Sequence, residues 1–140
     1  MSVSVIIPSH NSAPTIKACI ESIPFGSEIL EEVIVVDDQS TDSTAAIAEG
    51  AGCSSVPAGT PLRELVAKAR ADWLIVLEPG ARLDDGWHAA VMDQIMHPGA
   101  AAARFKPQRK GSWFERWFRP MVAKRGLLAR GLVISKRQAL

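Results

Sequence analysis

Patterns typical of buried strands alternate with helical patterns along the first hundred residues of this chain. The run Val33-Ile34-Val35-Val36 consists of β-branched residues and is typical of a parallel strand that helices cover on both faces. Residues 3–7 and 73–77 repeat this pattern. The stretches between and after these runs have apolar residues at helical spacing. Strands that alternate with helices predict an α/β fold, a Rossmann-like αβα sandwich with a mainly parallel sheet and right-handed crossovers.

Capping and turn residues set the expected ends of the elements. The expected helix starts are Asn11 or Ser12, Ser40 to Ser43, Thr60 with Pro61, and Asp84 or Asp85. Gly50 and Gly52 are expected to end the second helix. Further strands are expected at residues 53–56, 100–105 and 131–134. With the strand order 3-2-1-4, the carboxyl ends of the first, second and fourth strands line one crevice.

Length and composition are those of one globular domain. The 140 residues are interpreted as a single domain, with a nucleotide-binding core at 1–105 and a basic, aromatic segment at 106–140. Two cysteines without metal-ligand spacing favour a reducing compartment. The chain starts without a basic leader and has no apolar run of the roughly 18–20 residues that span a bilayer. A cytoplasmic location is therefore expected.

Charge divides the chain into two unlike parts. Residues 1–103 carry 5 Lys or Arg against 14 Asp or Glu, a net charge of −9, while residues 104–140 carry 11 against 1, a net charge of +10. Such asymmetry predicts that the basic end meets an anionic surface, which could be phosphate, a membrane or the acidic body itself.

The second strand ends in two adjacent carboxylates, Asp37 and Asp38. Carboxylates at a strand end can accept hydrogen bonds from ribose hydroxyls or from the N–H of a base. Pro8-Ser9-His10-Asn11 after the first strand lacks the glycines of a dinucleotide fingerprint or a P-loop, which counts against a nicotinamide enzyme or an ATPase. The alternative is that Asp37 caps local backbone groups and Asp38 is simply solvated.

Two motifs together resemble a known family. One predicted helix separates two motifs, Ser4-Val5-Ile6-Ile7-Pro8-Ser9-His10-Asn11 and Glu32-Val33-Ile34-Val35-Val36-Asp37-Asp38-Gln39-Ser40-Thr41-Asp42-Ser43-Thr44. Together they are similar to the amino-terminal signature of the family 2 glycosyltransferases of GT-A fold. The similarity extends through residues 71–77 to 83–86. It implies transfer of a sugar from a nucleotide-diphosphate donor, a UDP- or GDP-sugar, for an envelope or cell-surface polysaccharide or glycolipid.

The resemblance also implies roles for individual residues. Asp38 would hold the uracil or ribose of the donor, and Asp37 would support it. Pro8, Ser9, His10 and Asn11 would line the same pocket.

The chain departs from the family pattern where a divalent metal, Mn²⁺ or Mg²⁺, would bind. The family's Asp-x-Asp motif is replaced by Glu78-Pro79-Gly80, and Gly80 has no side chain to give a hard cation an oxygen ligand. Glu78 alone is a weak metal ligand. A cation such as Arg82 could instead offset the charge of the diphosphate.

The catalytic base is the second departure. Inverting transfer needs a base that takes the proton of the acceptor hydroxyl, yet no Asp or Glu follows Glu115. Glu78 and Asp84 are the candidate replacements. Two interpretations stay open: a family 2 transferase with weakened or absent metal dependence, or a non-catalytic GT-A-like nucleotide-binding or interaction module.

The aromatic residues of the basic segment recur at helical spacing with cations around them. An amphipathic helix at residues 106–137 on anionic lipid would have this pattern, which would place the protein peripherally on the inner face of the membrane. Equally, these aromatics could cover the sheet or a second copy in a homo-oligomer. Nucleic acid is the weaker interpretation, because the acidic body offers no extended basic face.

Overall fold

The fold is seen in a computed structural model, which describes residues 1–83, 85–97 and 131–136. The helices are α1 (Ala13–Glu21), α2 (Thr44–Gly50), α3 (Leu62–Lys68) and α4 (Trp87–Met96). The strands are β1 (Val3–Ser9), β2 (Leu30–Asp37), β3 (Ser54–Pro57), β4 (Trp73–Leu77) and β5 (Gly131–Ser135). The strand expected at 100–105, the basic segment up to residue 130, residues 137–140 and Asp84 lie outside the described residues.

The five strands form one sheet in the order β3-β2-β1-β4-β5. β1 pairs in parallel with both β2 and β4, and β2 pairs in parallel with β3. β5 is antiparallel to β4. The expected α/β class, the mainly parallel sheet and the order of the first four strands are confirmed.

Alternate residues of the central strands pack on opposite faces of the sheet. On one face Val5, Ile7, Val33 and Val35 pack with the buried side chains of α1, α2 and α4. The opposite face carries a second cluster, whose members are Ile6, Ile34, Val36, Leu74 and Val76 with Leu65, Val66 and Ala69 of α3. Burial on both faces explains why these strands are continuously apolar rather than alternating.

Helix ends follow the sequence signals to within a few residues. Gly52 has a φ of +84°, so the turn after α2 uses the left-handed conformation that glycine adopts without strain. α3 is preceded by Pro61 and α4 by Gly86 at the N-cap positions, where Thr60 and an aspartate were expected. Ser12 is the N-cap of α1 and makes no capping hydrogen bond with its side chain.

A polar cluster joins three segments at the amino ends of the strands. The Glu32 carboxylate on β2 accepts hydrogen bonds from Ser4 Oγ on β1 (2.8 Å) and from the Arg70 backbone N–H (2.7 Å). Ser4 is fully buried, and its Oγ also accepts from the Ala71 N–H at 3.3 Å. Glu32 therefore ties β1, β2 and the segment before β4 together at the edge opposite the candidate site.

Candidate nucleotide-binding site

The chain segments that follow β1, β2 and β4 lie at one edge of the sheet. β1 lies between the other two strands, and Ser9 at its end is in register with Asp37 at the end of β2. β4 ends at Leu77, directly before Glu78. The structure thus brings residues 9–11, 37–40 and 78–80 to the same edge, as the strand order predicted.

Main-chain and ring contacts join the first two of these segments. The Asp38 N–H donates to the Ser9 carbonyl at 2.8 Å, and His10 Nδ1 lies 2.6 Å from the Asp38 carbonyl oxygen. Because a carbonyl oxygen only accepts, Nδ1 carries a proton in this contact. This leaves Nε2 on an exposed side chain, where it can form a hydrogen bond with a ligand.

Asn11 joins the same two segments through its side chain and its backbone. Its Oδ1 accepts from the Thr41 N–H at 2.7 Å, and its N–H donates to Ser40 Oγ at 3.0 Å. Asn11 has a φ of +43° and Gln39 a φ of +50°. Non-glycine residues rarely adopt this left-handed conformation, so each loop contains one strained residue that the cross-loop contacts hold in place.

The two carboxylates at the end of β2 have different partners. The Asp37 carboxylate accepts from the hydroxyl of Ser40 and from the Ser40 N–H at 3.4 Å. The Asp38 side chain is partly buried, and no hydrogen bond or ion pair to its carboxylate occurs within the described residues. Asp37 therefore shapes the loop, whereas the oxygens of Asp38 are available to a ligand.

Asp42 connects the starts of α1 and α2. Its Oδ2 accepts from the Ala13 N–H at 3.1 Å, and its Oδ1 accepts from the Thr44 N–H at 3.0 Å and from the Thr44 hydroxyl. The hydrogen bond from the Thr44 side chain, with those from the backbone N–H groups, lowers the pKa of the Asp42 carboxyl from its ordinary 3.8. The Asp-x-Thr spacing of the sequence signals the bond at α2, but the contact with α1 spans 29 residues and has no local signal.

α1 also holds the loop after β4. The Cys19 thiol donates to the Glu78 carbonyl at 3.7 Å, and the Leu83 N–H donates to Ser22 Oγ at 3.0 Å. Burial, with a smaller effect of the nearby Cys53, raises the pKa of the Cys19 thiol to about 12. Cys19 is therefore a neutral structural donor. Glu78 is partly buried at this loop.

Arg82 lies on the same loop, one residue before Leu83, and its side chain is exposed. Its guanidinium can therefore reach an anionic ligand from solvent.

The described residues do not fit a metal site built on two carboxylates after β4. Glu78 supplies one carboxylate, and Gly80 has no side chain. Within the ranges that the structure describes, no three His, Cys, Asp or Glu side chains are grouped so that they could hold a metal ion.

In the described part of the chain, no helix combines the length and the apolarity needed to cross a bilayer.

Comparison with known proteins points to one family. Residues 4–56 match the family described as Glycosyl transferase family 2. An uncharacterized protein of Mycobacterium tuberculosis is 46% identical over 46 residues, which cover 33% of this chain and 14% of that protein.

Solved structures share the fold. TarS of S. aureus (residues 1–349) superposes with a TM-score of 0.52 at 26% identity, covering 67% of this chain and 33% of that fragment. The same fragment has been solved in complex with UDP and with UDP-GlcNAc. Glucosyl-3-phosphoglycerate synthase of Mycobacterium tuberculosis, solved with Mn²⁺, UDP and glucosyl-3-phosphoglycerate, superposes with a TM-score of 0.65 at 19% identity, covering 97% of this chain and 57% of that enzyme.

The chain thus spans a third to just over half of these solved proteins and a smaller share of the mycobacterial relative. The family match contains α1, β2, α2 and most of β1 and β3, and with them both loops that meet at the candidate site. Residues 4–56, with both loops of the candidate site, are thus similar to Glycosyl transferase family 2, and the fold is that of the GT-A glycosyltransferases.

Proposed function

We propose that the edge formed by the loops after β1, β2 and β4 binds the nucleotide-diphosphate part of a sugar donor. The observation that carries the proposal is the position of the family match. Residues 4–56 contain both loops whose backbones and side chains the structure joins through Ser9, Asn11 and Asp38. TarS, which is similar at 25% identity, has been solved with UDP-GlcNAc.

Each residue at this edge has a role that its contacts allow. Asp38 accepts hydrogen bonds from the uracil or ribose of the donor, because its carboxylate has no other partner among the described residues. Asp37 holds the loop through Ser40. Pro8, Ser9, His10 and Asn11 line the pocket.

The diphosphate needs positive charge when a metal does not supply it. Arg82 is exposed at the loop after β4 and provides a fixed cation for the leaving group. Its mutation should then weaken binding of a nucleotide sugar more than binding of the nucleoside alone.

Transfer of the sugar requires a base, for which we propose Glu78 or Asp84. The acceptor that the family resemblance favours belongs to an envelope polysaccharide or a glycolipid, reached through association of the basic segment with the inner face of a membrane. The second candidate function is a non-catalytic nucleotide-binding module. It is supported by Gly80, which has no side chain at the position of the second metal-binding carboxylate.

The test is a calorimetric titration of the chain with UDP and with GDP, each with and without Mn²⁺, followed by a donor-hydrolysis assay. The proposal expects saturable binding of one nucleotide that Asp38→Ala abolishes and that Mn²⁺ changes little. Turnover of the sugar donor selects the transferase, and binding without turnover selects the module. Failure of both nucleotides to bind refutes the proposed site.

A further inference from the structure

We propose that Asp42 is a positioning residue that fixes the nucleotide pocket in its binding shape by joining the loop after β1 to the loop after β2. This inference rests on the proposed nucleotide-binding function. Asp42 itself is exposed and has no assigned contact with the donor.

The Asp42 carboxylate uses its two oxygens on two different segments. Oδ2 accepts from the Ala13 N–H at the start of α1, and Oδ1 accepts from the N–H and the hydroxyl of Thr44 at the start of α2. The Thr44 hydroxyl in turn accepts from the Ser12 N–H at 2.9 Å. Asp42 and the buried Thr44 therefore form one continuous connection between the two helix starts.

The residues that Asp42 connects directly flank the candidate pocket. Ser12 and Ala13 follow His10 and Asn11 without interruption, and Thr44 follows the loop that begins at Asp38. A shift of either helix start would carry these pocket residues with it.

The two loops also contain the strained residues of the site. Asn11 and Gln39 both have left-handed backbone conformations, which persist only where surrounding contacts compensate for their free-energy cost. Loops held in this way before the ligand arrives need less ordering on binding, and preorganisation of this kind raises affinity. The connection at Asp42 thereby contributes to affinity without a contact to the ligand.

A carboxylate is required because both oxygens accept. Asp42→Asn keeps the shape but replaces one accepting oxygen with an amide NH₂, which cannot accept from a backbone N–H. Ser43→Ala is the matched control in the same loop. Ser43 is exposed, and its side chain makes no capping hydrogen bond.

Glu32→Ala is the control for loss of stability alone, because Glu32 lies at the opposite edge of the sheet. A purely structural role for Asp42 would lower the free energy of unfolding, as the Glu32 variant does, without changing the nucleotide affinity of the folded molecules.

The experiment titrates UDP into wild-type chain and the three variants, with folding of each checked by circular dichroism. Amide hydrogen exchange of Ala13 and Thr44 is measured by NMR in the free state. We expect Asp42→Asn to weaken UDP binding about 10-fold and to accelerate exchange at the amide that loses its accepting oxygen. Ser43→Ala and Glu32→Ala should leave the dissociation constant unchanged.

Wild-type affinity in folded Asp42→Asn overturns the inference and leaves the proposed function intact. If the wild type binds GDP and not UDP, the same titrations use GDP; lack of binding of both nucleotides refutes both the inference and the proposed function. If Asp42→Asn does not fold, Thr44→Val tests the same connection, since it removes the hydroxyl and keeps the side-chain shape. Wild-type affinity in that variant also overturns the inference.

Discussion

Removal of the Glu32 carboxylate should destabilise the fold far more than removal of its neighbour on the same strand. In Glu32→Ala the fully buried Ser4 hydroxyl loses its acceptor, and an unsatisfied buried hydroxyl costs about 1–3 kcal/mol. The Arg70 N–H also loses its partner but is exposed to water, so this loss adds only about 0.5–1 kcal/mol.

The ion pair between Arg70 and Glu32 adds little. Arg70 Nε lies 3.4 Å from Glu32 Oε2, and the Arg70 side chain is 63% exposed, so solvent screens the pair. The expected total for Glu32→Ala is therefore about 1.5–4 kcal/mol in the free energy of unfolding.

Urea unfolding followed by circular dichroism measures this difference, and two variants serve as controls. Glu31→Ala removes an exposed carboxylate whose contact with Arg70 Nε is 3.9 Å long, and should cost less than about 0.5 kcal/mol. Glu32→Gln keeps an accepting oxygen and should cost less than about 1 kcal/mol. Equal stabilities of Glu32→Ala and Glu31→Ala would show that the Ser4–Glu32 connection does not stabilise the fold.

Three further predictions concern the other special positions of the fold. Gly52→Ala should destabilise the fold by about 1 kcal/mol, because Gly52 has a φ of +84°. Gly50→Ala should be neutral or stabilising, because Gly50 lies inside α2 and nothing lies within 4 Å of the new Cβ. Thermal unfolding of the two variants measures the difference. Burial raises the pKa of both Cys19 and Cys53, so both thiols remain protonated in the folded protein. Iodoacetamide at mildly alkaline pH should therefore modify them only after the protein unfolds. Rapid alkylation under native conditions, detected by mass spectrometry, would contradict this prediction. The pKa of Asp42 is lowered in the folded state, so its ionised form stabilises the fold above its ordinary pKa of 3.8, and this contribution is lost as the pH falls through the lower folded value. The difference in the free energy of unfolding between wild type and Asp42→Asn should therefore be constant near neutrality and shrink in acid. A difference that does not change with pH would show that the charge of Asp42 does not stabilise the fold.

Much of the fold was predictable because the strands are buried on both faces. The runs that contain Val33–Val36 and Leu74–Val76 are continuously apolar, and only a parallel sheet covered on both sides buries such runs completely. The position of the candidate site followed from the same pattern, since carboxyl ends of parallel strands meet at one edge.

The contacts that hold the site together were not predictable, because they join residues far apart in the sequence. Asp42 was expected to serve only the start of its own helix, whereas it also binds the Ala13 N–H, 29 residues away. The left-handed conformation of Gln39 has no signal in a residue type that rarely adopts it. Glu32 looked like an ordinary strand residue, and only the pairing of β1 with β2 places it beside Ser4.

An NMR titration of the isotope-labelled chain with UDP and with GDP locates nucleotide binding on the fold. With one of the two nucleotides we expect saturable shifts of the backbone amides of residues 9–11 and 37–40, smaller shifts at 78–83, and no change at Glu32 or Arg70. No shifts at any concentration of either nucleotide, or shifts that centre on Glu32 and Arg70 at the opposite edge of the sheet, would refute nucleotide binding at this site.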